Sequence, residues 1–433
     1  MVDRSRSRQA VASARHPDFQ HPRVAAPLRE PAAHSLEHWT RTRASDAALF
    51  DRDACLTYGD WNEYADMLAD ALTQRGLGHD DVIAVRCANR IEWAVIAIAA
   101  AKIDAGLVTL DPCLDPAALR ERMILSNASA IIVGDCDPQR IAPALSGLTF
   151  RLRATIDVPA RGFFDFFDLF GATAPRRFSR ARPALISWTQ GETRRAMPIL
   201  LPRRLAAPVA HAAEQRPGPG CSLLTVPMHR VWGPVQFWAA LDEGRSVSFM
   251  RHFKPRLALH IIERRGVTHW SAFPNVLHQI AALPTSDVRN FDVSSMRELV
   301  VGGATVDWPL KMRLAELFGP IVSEVYGSTE TGLISVMPPQ STNAKPGSCG
   351  RPLDDVVVEI RDAEGRSLPP NATGEIWART PRSLACDLPG SYLHRDAKGF
   401  IATADLGRLD EDGFLFVTGR TSARMPVELR QAG

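Results

Sequence analysis

Two kinds of hydrophobic pattern alternate along the first part of the chain. Between residues 61 and 72, apolar side chains recur every three or four positions, which is the period of a helix with one buried face. The segments 81–86, 107–110 and 130–133 are instead short and almost wholly apolar, as strands covered on both faces are. Because such strands alternate with helical segments, the pattern indicates a parallel α/β sheet.

A second block of the same kind follows a segment rich in proline and arginine at residues 174–183. Its strand candidates are 223–226, 246–250, 268–271 and 298–301. Beyond residue 337 the pattern changes, because short β-like runs are interrupted by Gly, Pro and Asp turns. Such a pattern is typical of a small β-rich unit.

These patterns predict an α/β fold in which two layered parallel-sheet α/β subdomains are followed by a small β-rich, barrel-like subdomain. The first 45 residues keep no hydrophobic period and carry many Arg and Pro residues. A disordered tail is therefore predicted there, with an organelle transit peptide as the alternative. The predicted units are the tail 1–45, subdomain A at 46–180, subdomain B at 181–336, the β-rich subdomain at 337–419 and a hinge remnant at 420–433.

Composition narrows the range of functions. The 433 residues carry a net charge of only +3, which argues against a nucleic-acid binder. The longest apolar run, residues 93–101, is far shorter than the roughly 20 residues that span a bilayer. The seven cysteines include no CxxC pair, so no zinc site is indicated and a reducing, cytoplasmic location is expected. Lysine occurs only at Lys102, Lys254, Lys311, Lys345 and Lys398.

The most specific segment runs from Val325 to Gly332 and reads VYGSTETG. Its residue types suit a nucleotide: Tyr326 to stack on the base, Thr329 to donate a hydrogen bond to a phosphate oxygen, and Glu330 to hold Mg²⁺. The alternative interpretation is a plain loop in which the Thr and Glu side chains cap a helix.

A second segment, Thr403–Arg420, joins an acidic residue, a DEDG hairpin turn and a final Gly-Arg pair. The two segments resemble the YGxTE and TGDLGRLDEDGFLYVxGR motifs of the adenylate-forming (AMP-binding) superfamily, which includes acyl- and aryl-CoA synthetases, luciferases and peptide-synthetase adenylation domains. The resemblance covers about residues 45–420. Further matching segments, in the same order as in the family, are Leu56–Tyr58, Val226–Gly233, Val301–Ala304, Gly347–Pro352 and Gly374–Trp377.

The resemblance implies an AMP-forming ligase that uses ATP and Mg²⁺ to activate an aryl or fatty carboxylic acid as an acyl-adenylate. CoA or the phosphopantetheine of a carrier protein is the implied acyl acceptor. Catalytic roles are implied for Thr329, Arg420 and Glu330, the last as the Mg²⁺ ligand. The implied nucleotide-binding residues are Ser187, Thr189, Gly191, Arg194, Gly302, Gly303, Ala304, Tyr326, Gly327, Thr329, Asp405 and Arg420. The implied acyl pocket consists of His229, Trp232, Phe273 and Gly303, with plain core packing as the alternative role of each.

The chain departs from the family pattern in its phosphate loop, where SWTQGETRR replaces a pattern close to SGTTGxPKG. Trp188 stands at a glycine position and is expected to narrow or reshape the loop, because glycines let backbone N–H groups turn toward phosphate. Arg194 replaces the loop lysine. Arg230 stands at the histidine position of PxxHxxG, unless His229 substitutes for it. Ala404 replaces a glycine, which is a milder change.

The family's C-terminal lid, a unit of about 100 residues, has no counterpart before the chain ends at Gly433. No lysine lies near that end, so a family-type lid lysine is expected to come from a separate lid or from a partner such as an acyl carrier protein. The altered loop and the absent lid keep a second interpretation open. In that interpretation, the protein is a catalytically impaired relative that binds a nucleotide, an acyl ligand or a partner protein.

Overall fold

The computed structural model describes residues 33–171, 183–188, 198–201, 220–381 and 395–421. The helices in these residues are α1 (Ala33–Thr42), α2 (Tyr58–Gln74), α3 (Ile91–Lys102), α4 (Pro116–Leu125), α5 (Pro138–Ile141), α6 (Trp232–Asp242), α7 (Pro255–Arg265), α8 (Pro274–Ala281), α9 (Thr285–Val288) and α10 (Trp308–Phe318). No helix in this part of the chain is both long and apolar enough to cross a lipid bilayer.

The described strands form three sheets. The N-terminal sheet contains β3 (Val82–Arg86), β4 (Gly106–Leu110), β5 (Ala130–Val133), β6 (Leu152–Thr155), β7 (Phe164–Asp165), β8 (Leu185–Trp188) and β9 (Pro198–Leu201). The central sheet contains β1 (Ala47–Asp51), β2 (Ala54–Thr57), β10 (Cys221–Leu224), β11 (Ser246–Phe249), β12 (Val267–Ala272), β13 (Glu298–Gly302), β14 (Val322–Ser328), β15 (Gly332–Met337) and β16 (Arg351–Pro352). The C-terminal sheet contains β17 (Val357–Arg361), β18 (Gly374–Arg379), β19 (Ile401–Leu409) and β20 (Leu415–Arg420).

The two larger sheets are mainly parallel, and the C-terminal sheet is antiparallel. The strand order of the N-terminal sheet is β7-β6-β5-β3-β4-β8-β9, and that of the central sheet is β16-β15-β14-β13-β12-β10-β11-β1-β2. The predicted α/β fold with a small β-rich unit is confirmed. Strands such as β5, in which all four residues are buried, account for the continuous apolar runs of the sequence.

A shared layer of helices holds the two larger sheets together. One hydrophobic core combines residues of α2, α3 and α6 with the inner faces of both sheets. At its centre, the Phe237 ring lies edge-on to Trp61 and Trp93, with centroid distances of 5.7 and 5.1 Å. An ion-pair network joins the same two sheets, because Arg251 contacts Asp51 of the central sheet at 2.6 Å and Asp135, which follows β5, at 3.4 Å.

The predicted disordered tail is wrong for residues 36–45. Leu36, in α1, is almost completely buried. The Trp39 indole donates a hydrogen bond to the Leu241 carbonyl at 2.7 Å, and the Arg43 guanidinium donates one to the Gly244 carbonyl at 2.8 Å. Two apolar residues three positions apart are enough to dock this short helix against α6, although they are too few to show a sequence period.

Two segments belong to a different sheet from the one that the predicted boundaries assign to them. The hairpin β1–β2 joins the central sheet, because β1 pairs in parallel with β11, although residues 46–180 were assigned to subdomain A. Likewise, β16 pairs with β15 of the central sheet, beyond the predicted boundary at residue 336. Strand pairing between distant segments decides membership of a sheet, and local pattern does not report it. Most of the predicted linker, and the hinge remnant beyond residue 421, lie outside the described residues.

Candidate functional site

Two motifs that lie 79 residues apart in sequence meet at one carboxylate. The Tyr326 hydroxyl, near the end of β14, donates a hydrogen bond to Asp405 Oδ2 at 2.8 Å. The Arg420 Nε, at the end of β20, donates one to Asp405 Oδ1 at 2.9 Å. The pairing of β19 with β20 places Asp405 directly opposite Arg420. The fold therefore brings together three of the predicted nucleotide-binding residues.

The environment of Tyr326 keeps its phenol protonated. Burial raises its pKa well above the ordinary value of 10, and the neighbouring Asp405 carboxylate adds to this effect. A protonated phenol remains a hydrogen-bond donor. Asp405 is thus held by a neutral donor on one oxygen and by a cation on the other.

The backbone just before Asp405 adopts a conformation that favours glycine. Ala404 has φ of 60°, in the left-handed region. This conformation turns the Ala404 carbonyl toward Thr421, whose backbone N–H and hydroxyl donate to it at 2.9 and 3.1 Å. The replacement of glycine by Ala404 is therefore less mild than its small size suggests, because the cost lies in the backbone.

The glycine turn after β13 is built for close packing. A Cβ on Gly302 would lie 2.5 Å from the Val325 carbonyl oxygen, and one on Gly303 would lie 2.5 Å from Cε1 of Phe273. Gly303 also has φ of +79°. The Phe273 ring in turn lies edge-on to Trp232, with centroids 5.6 Å apart. Three of the four residues predicted to form an acyl pocket thus contact one another in sequence, Trp232 with Phe273 and Phe273 with Gly303. Gly303 itself belongs to the turn that is predicted to bind the nucleotide.

The segment after Tyr326 is a tight turn between antiparallel strands β14 and β15. The alternative in which Thr329 and Glu330 cap a helix is wrong, because no helix begins there. The Ser328 hydroxyl holds the turn by accepting hydrogen bonds from the backbone N–H groups of Glu330 and Thr331, at 3.2 and 3.1 Å. Ser328 and Thr331 are not among the predicted site residues, although hydroxyl residues three positions apart are typical of such turns.

The Glu330 side chain has the properties that a Mg²⁺ ligand needs. It is partly exposed on the turn, and it forms no ion pair with the described residues. These residues contain no cluster of three or more His, Cys, Asp or Glu side chains that could hold a metal ion. A site with one carboxylate nevertheless fits Mg²⁺, which proteins commonly bind through one or two carboxylates together with substrate phosphates.

The start of the predicted phosphate loop lies at the end of β8. Among the described residues, neither the buried Ser187 hydroxyl nor the buried Trp188 indole N–H has a hydrogen-bond partner. The Trp188 ring packs in the hydrophobic cluster between the N-terminal sheet and helices α4 and α5. The Arg122 guanidinium lies 4.1 Å from the centroid of this ring. Thr189, Gly191 and Arg194 lie outside the described residues, so the reshaping of the loop stays a prediction.

His229, the fourth predicted acyl-pocket residue, contacts a different group. Its Nε2 lies 3.4 Å from Asp111 Oδ2, and Asp111 follows β4 of the N-terminal sheet. Burial lowers the pKa of His229, and the Arg230 and Arg122 cations lower it further against the opposing effect of Asp111. Asp111 and Arg122 are not among the predicted site residues, since nothing in the chain order connects them with His229.

Folding brings one lysine close to the Val325–Gly332 segment. Lys311 of α10 forms a buried ion pair with Glu324, two residues before Tyr326, although the two residues lie in separate segments of the sequence. Its ammonium group also donates a hydrogen bond to the Ser348 carbonyl at 3.2 Å. Lys102 and Lys345 are likewise paired with carboxylates, at distances of 2.6–2.8 Å. Three of the five lysines of the sequence are therefore engaged in ion pairs with carboxylates of the protein.

Comparison with known proteins supports a single family. A family model described as AMP-binding enzyme matches residues 36–385. The chain is 30% identical over 207 residues to the fatty acid–[acyl-carrier-protein] ligase ScoC of Streptomyces coeruleorubidus, covering 46% of this chain and 39% of that protein. It is 24% identical over 425 residues to 4-coumarate–CoA ligase 5 of Oryza sativa subsp. japonica, covering 92% and 77%. The match to ScoC thus spans less than half the length of that relative.

Solved structures show the same fold. The luciferase-like enzyme from the mealworm Zophobas morio superposes with a TM-score of 0.79 at 21% identity, covering 94% of this chain and 98% of that one. The o-succinylbenzoate coenzyme A synthetase MenE of Bacillus subtilis, in complex with ATP and magnesium ion, superposes with a TM-score of 0.72 at 21% identity, covering 89% and 79%. At these identities the likeness is one of fold.

Proposed function

Because the chain belongs to the AMP-binding enzyme family, we propose that it converts ATP and a carboxylic acid into an acyl-adenylate. The observation that carries this proposal is the meeting of Tyr326, Asp405 and Arg420 at one site, at 2.8 and 2.9 Å. An acidic side chain beside an aromatic ring is suited to hold the ribose hydroxyls and the base of a nucleotide.

Each element around this site has a role in the proposal. The Gly302–Gly303–Ala304 turn and the Tyr326 ring enclose adenine, since the two glycines allow close approach of backbone and ring. Asp405 accepts hydrogen bonds from the ribose, and Arg420 reaches the same sugar. Ser187, Thr189, Gly191, Arg194, Gly327 and Thr329 serve the phosphates.

In the proposed reaction, a carboxylate oxygen of the acid attacks the α-phosphorus of ATP. The bond from that phosphorus to the oxygen bridging to the β-phosphate breaks, and pyrophosphate leaves with the bonding electrons. Two anions approach each other in this step, so its rate depends on positioning and on cationic groups. Glu330 would hold Mg²⁺, which when bound offsets the charge of the phosphates.

The acid is proposed to lie beside Trp232, Phe273 and Gly303, where an edge-on aromatic pair lines the approach to the glycine turn. An apolar wall of this kind suits an aryl or fatty acid. The acyl acceptor is proposed to be CoA or the phosphopantetheine of a carrier protein, in line with the named activities of the 4-coumarate ligase and ScoC.

Exchange of labelled pyrophosphate into ATP, measured over a panel of aryl, fatty and amino acids, tests the proposal. We expect exchange with at least one aryl or fatty acid. Asp405→Asn should lower it about tenfold or more through weaker nucleotide binding. Glu411→Gln is the matched control, because Glu411 is exposed on the hairpin turn of the same sheet. Binding of AMP without exchange for any acid would instead favour the catalytically impaired relative and overturn the proposal.

A further inference from the structure

Arg122 is a partly buried cation without a close counterion in the described structure. It lies on α4, and its guanidinium stacks on the buried Trp188 ring at 4.1 Å. Among the described residues, no carboxylate lies within ion-pair distance of it. Glu121 and Asp111 act on it only at longer range, and burial outweighs them, so that the pKa of Arg122 falls below its ordinary value. An anion at this position would relieve the cost of burying the charge.

A second arginine approaches the same place from the other large sheet. Arg230 lies in the turn between β10 and α6, and its charge acts on both Arg122 and His229. Among the described residues its guanidinium forms no ion pair. The contact between His229 and Asp111, at 3.4 Å, joins this turn to the end of β4. The two arginines therefore lie in one region, Arg122 on a helix that packs against the N-terminal sheet and Arg230 in a turn that follows a strand of the central sheet.

This region lies at the edge where ligands of α/β sheets bind. Asp111, Trp188 and Arg230 all follow or end parallel strands at their carboxyl ends, and Tyr326 lies at the corresponding end of β14. Ligands of open α/β sheets bind in crevices at this edge. The predicted phosphate loop begins at Ser187, so the two arginines lie beside the segment expected to receive phosphate groups.

We propose that Arg122 and Arg230 bind the β- and γ-phosphates of ATP, the part that leaves as pyrophosphate. The planar guanidinium forms paired hydrogen bonds to phosphate oxygens. The ring of Trp188 fixes the plane of the Arg122 guanidinium, which lowers the entropy lost on binding. The substitution of a loop glycine by Trp188 thus gains a function, because the ring supports a cation that a glycine could not hold.

This inference rests on the proposed function, and nucleotide binding by the full chain tests the two separately. Calorimetric titrations with AMP, with ATP and Mg²⁺, and with CoA are compared for the wild type, Arg122→Met and Arg230→Met. We expect each variant to weaken ATP binding about tenfold or more, since a charge-assisted hydrogen bond is lost. AMP binding should stay unchanged, because AMP lacks the β- and γ-phosphates.

Two further variants separate a charge effect from a structural one. Arg140→Met removes an exposed arginine of the same subdomain and should leave ATP binding unchanged. Asp111→Asn removes a negative charge that acts on both Arg122 and His229. It keeps an acceptor for the Cys113 N–H that Asp111 now binds at 2.8 Å, and it should tighten ATP binding several-fold. If these side chains only maintained the local structure, Asp111→Asn would not tighten ATP binding while the arginine substitutions weaken it.

The outcomes distinguish the two proposals. A wild type that binds neither AMP nor ATP would overturn the proposed function together with this inference. Suppose that the wild type binds both nucleotides. If the arginine substitutions then weaken ATP and AMP binding by the same factor, or leave both affinities unchanged, this inference alone is overturned. Weaker binding of CoA with unchanged binding of ATP would assign the pair to the phosphates of CoA and would also contradict it.

Discussion

Ala404 shows how one residue can carry a cost that its size does not reveal. Its left-handed backbone, with φ of 60°, directly precedes Asp405, which contacts Tyr326 and Arg420. Such strain commonly persists at functional sites, where the surrounding structure imposes it. The hydrogen bonds from Thr421 to the Ala404 carbonyl supply part of this constraint.

We expect Ala404→Gly to raise the free energy of unfolding by about 1 kcal/mol, because glycine adopts this conformation without steric cost. Urea denaturation of the full chain measures the change. Ala402→Gly, in the same strand but without a positive φ, is the control and should lower stability by about 0.5–1 kcal/mol. Equal losses in the two variants would show that the backbone at residue 404 is not strained.

For single residues, the sequence predicted the members of the site better than it predicted their contacts. The motifs named Tyr326, Asp405 and Arg420, and the structure brings these three together. His229 was also named from its motif, but its contact is with Asp111 of the other sheet. A motif records local chemistry, whereas the partner of a side chain depends on where distant segments pack.

Among the elements, helix α10 and strand β14 are joined by a buried ion pair close to the site. Lys311 and Glu324 are both about nine-tenths buried or more. Burial raises the pKa of Glu324, and the Lys311 cation opposes this rise. The pair aligns the strand that carries Tyr326 two residues later. Removing either member of the Lys311–Glu324 pair is expected to lower the stability of the fold, since an unpaired buried charge is costly.

Lys311→Met should therefore lower the free energy of unfolding by about 3 kcal/mol or more, because it leaves the Glu324 carboxyl buried and unpaired. The double variant Lys311→Met/Glu324→Gln should recover much of this loss, since no buried charge remains. Lys398→Met, at an exposed position, serves as the control in the same urea titrations. A double variant no more stable than Lys311→Met alone would contradict the explanation.

Elements differ in how well the sequence predicts them. The buried strand β5 was found at its observed bounds, because strands covered on both faces are continuously apolar. Strand β19, with the sequence IATADLGRL, was missed. It contains a register shift at Leu406–Gly407 and alternates poorly, because polar residues of the site interrupt it.

For the whole molecule, acid sensitivity is expected from a buried histidine to which the proposed function assigns no role. His269 lies on β12, and burial, together with the nearby Arg245 and Arg297 cations, lowers its pKa from 6.5 to about 3. The unfolded chain takes up this proton below pH 6.5, while the folded protein does so only near pH 3. The histidine's contribution to stability is thus complete above pH 6.5 and is lost as the pH falls toward 3.

His269→Gln should flatten the dependence of unfolding free energy on pH between 7 and 4, because the substituted side chain takes up no proton. Chemical denaturation at several pH values measures the slope for the wild type and the variant. His252→Gln, at an exposed position, should give a curve parallel to that of the wild type. Parallel curves for His269→Gln and the wild type would refute the assignment.

The amino-acid sequence by itself determined the fold class and the identity of the central motif residues, because burial periodicity and the chemistry of nucleotide recognition are both local properties of the chain. Only the tertiary structure decided that Tyr326 and Arg420 both bind the Asp405 carboxylate. It also decided that Trp188 packs beneath Arg122 and that β1 and β2 join the central sheet. These facts depend on pairing and packing between segments many residues apart, and a local pattern carries no record of such contacts.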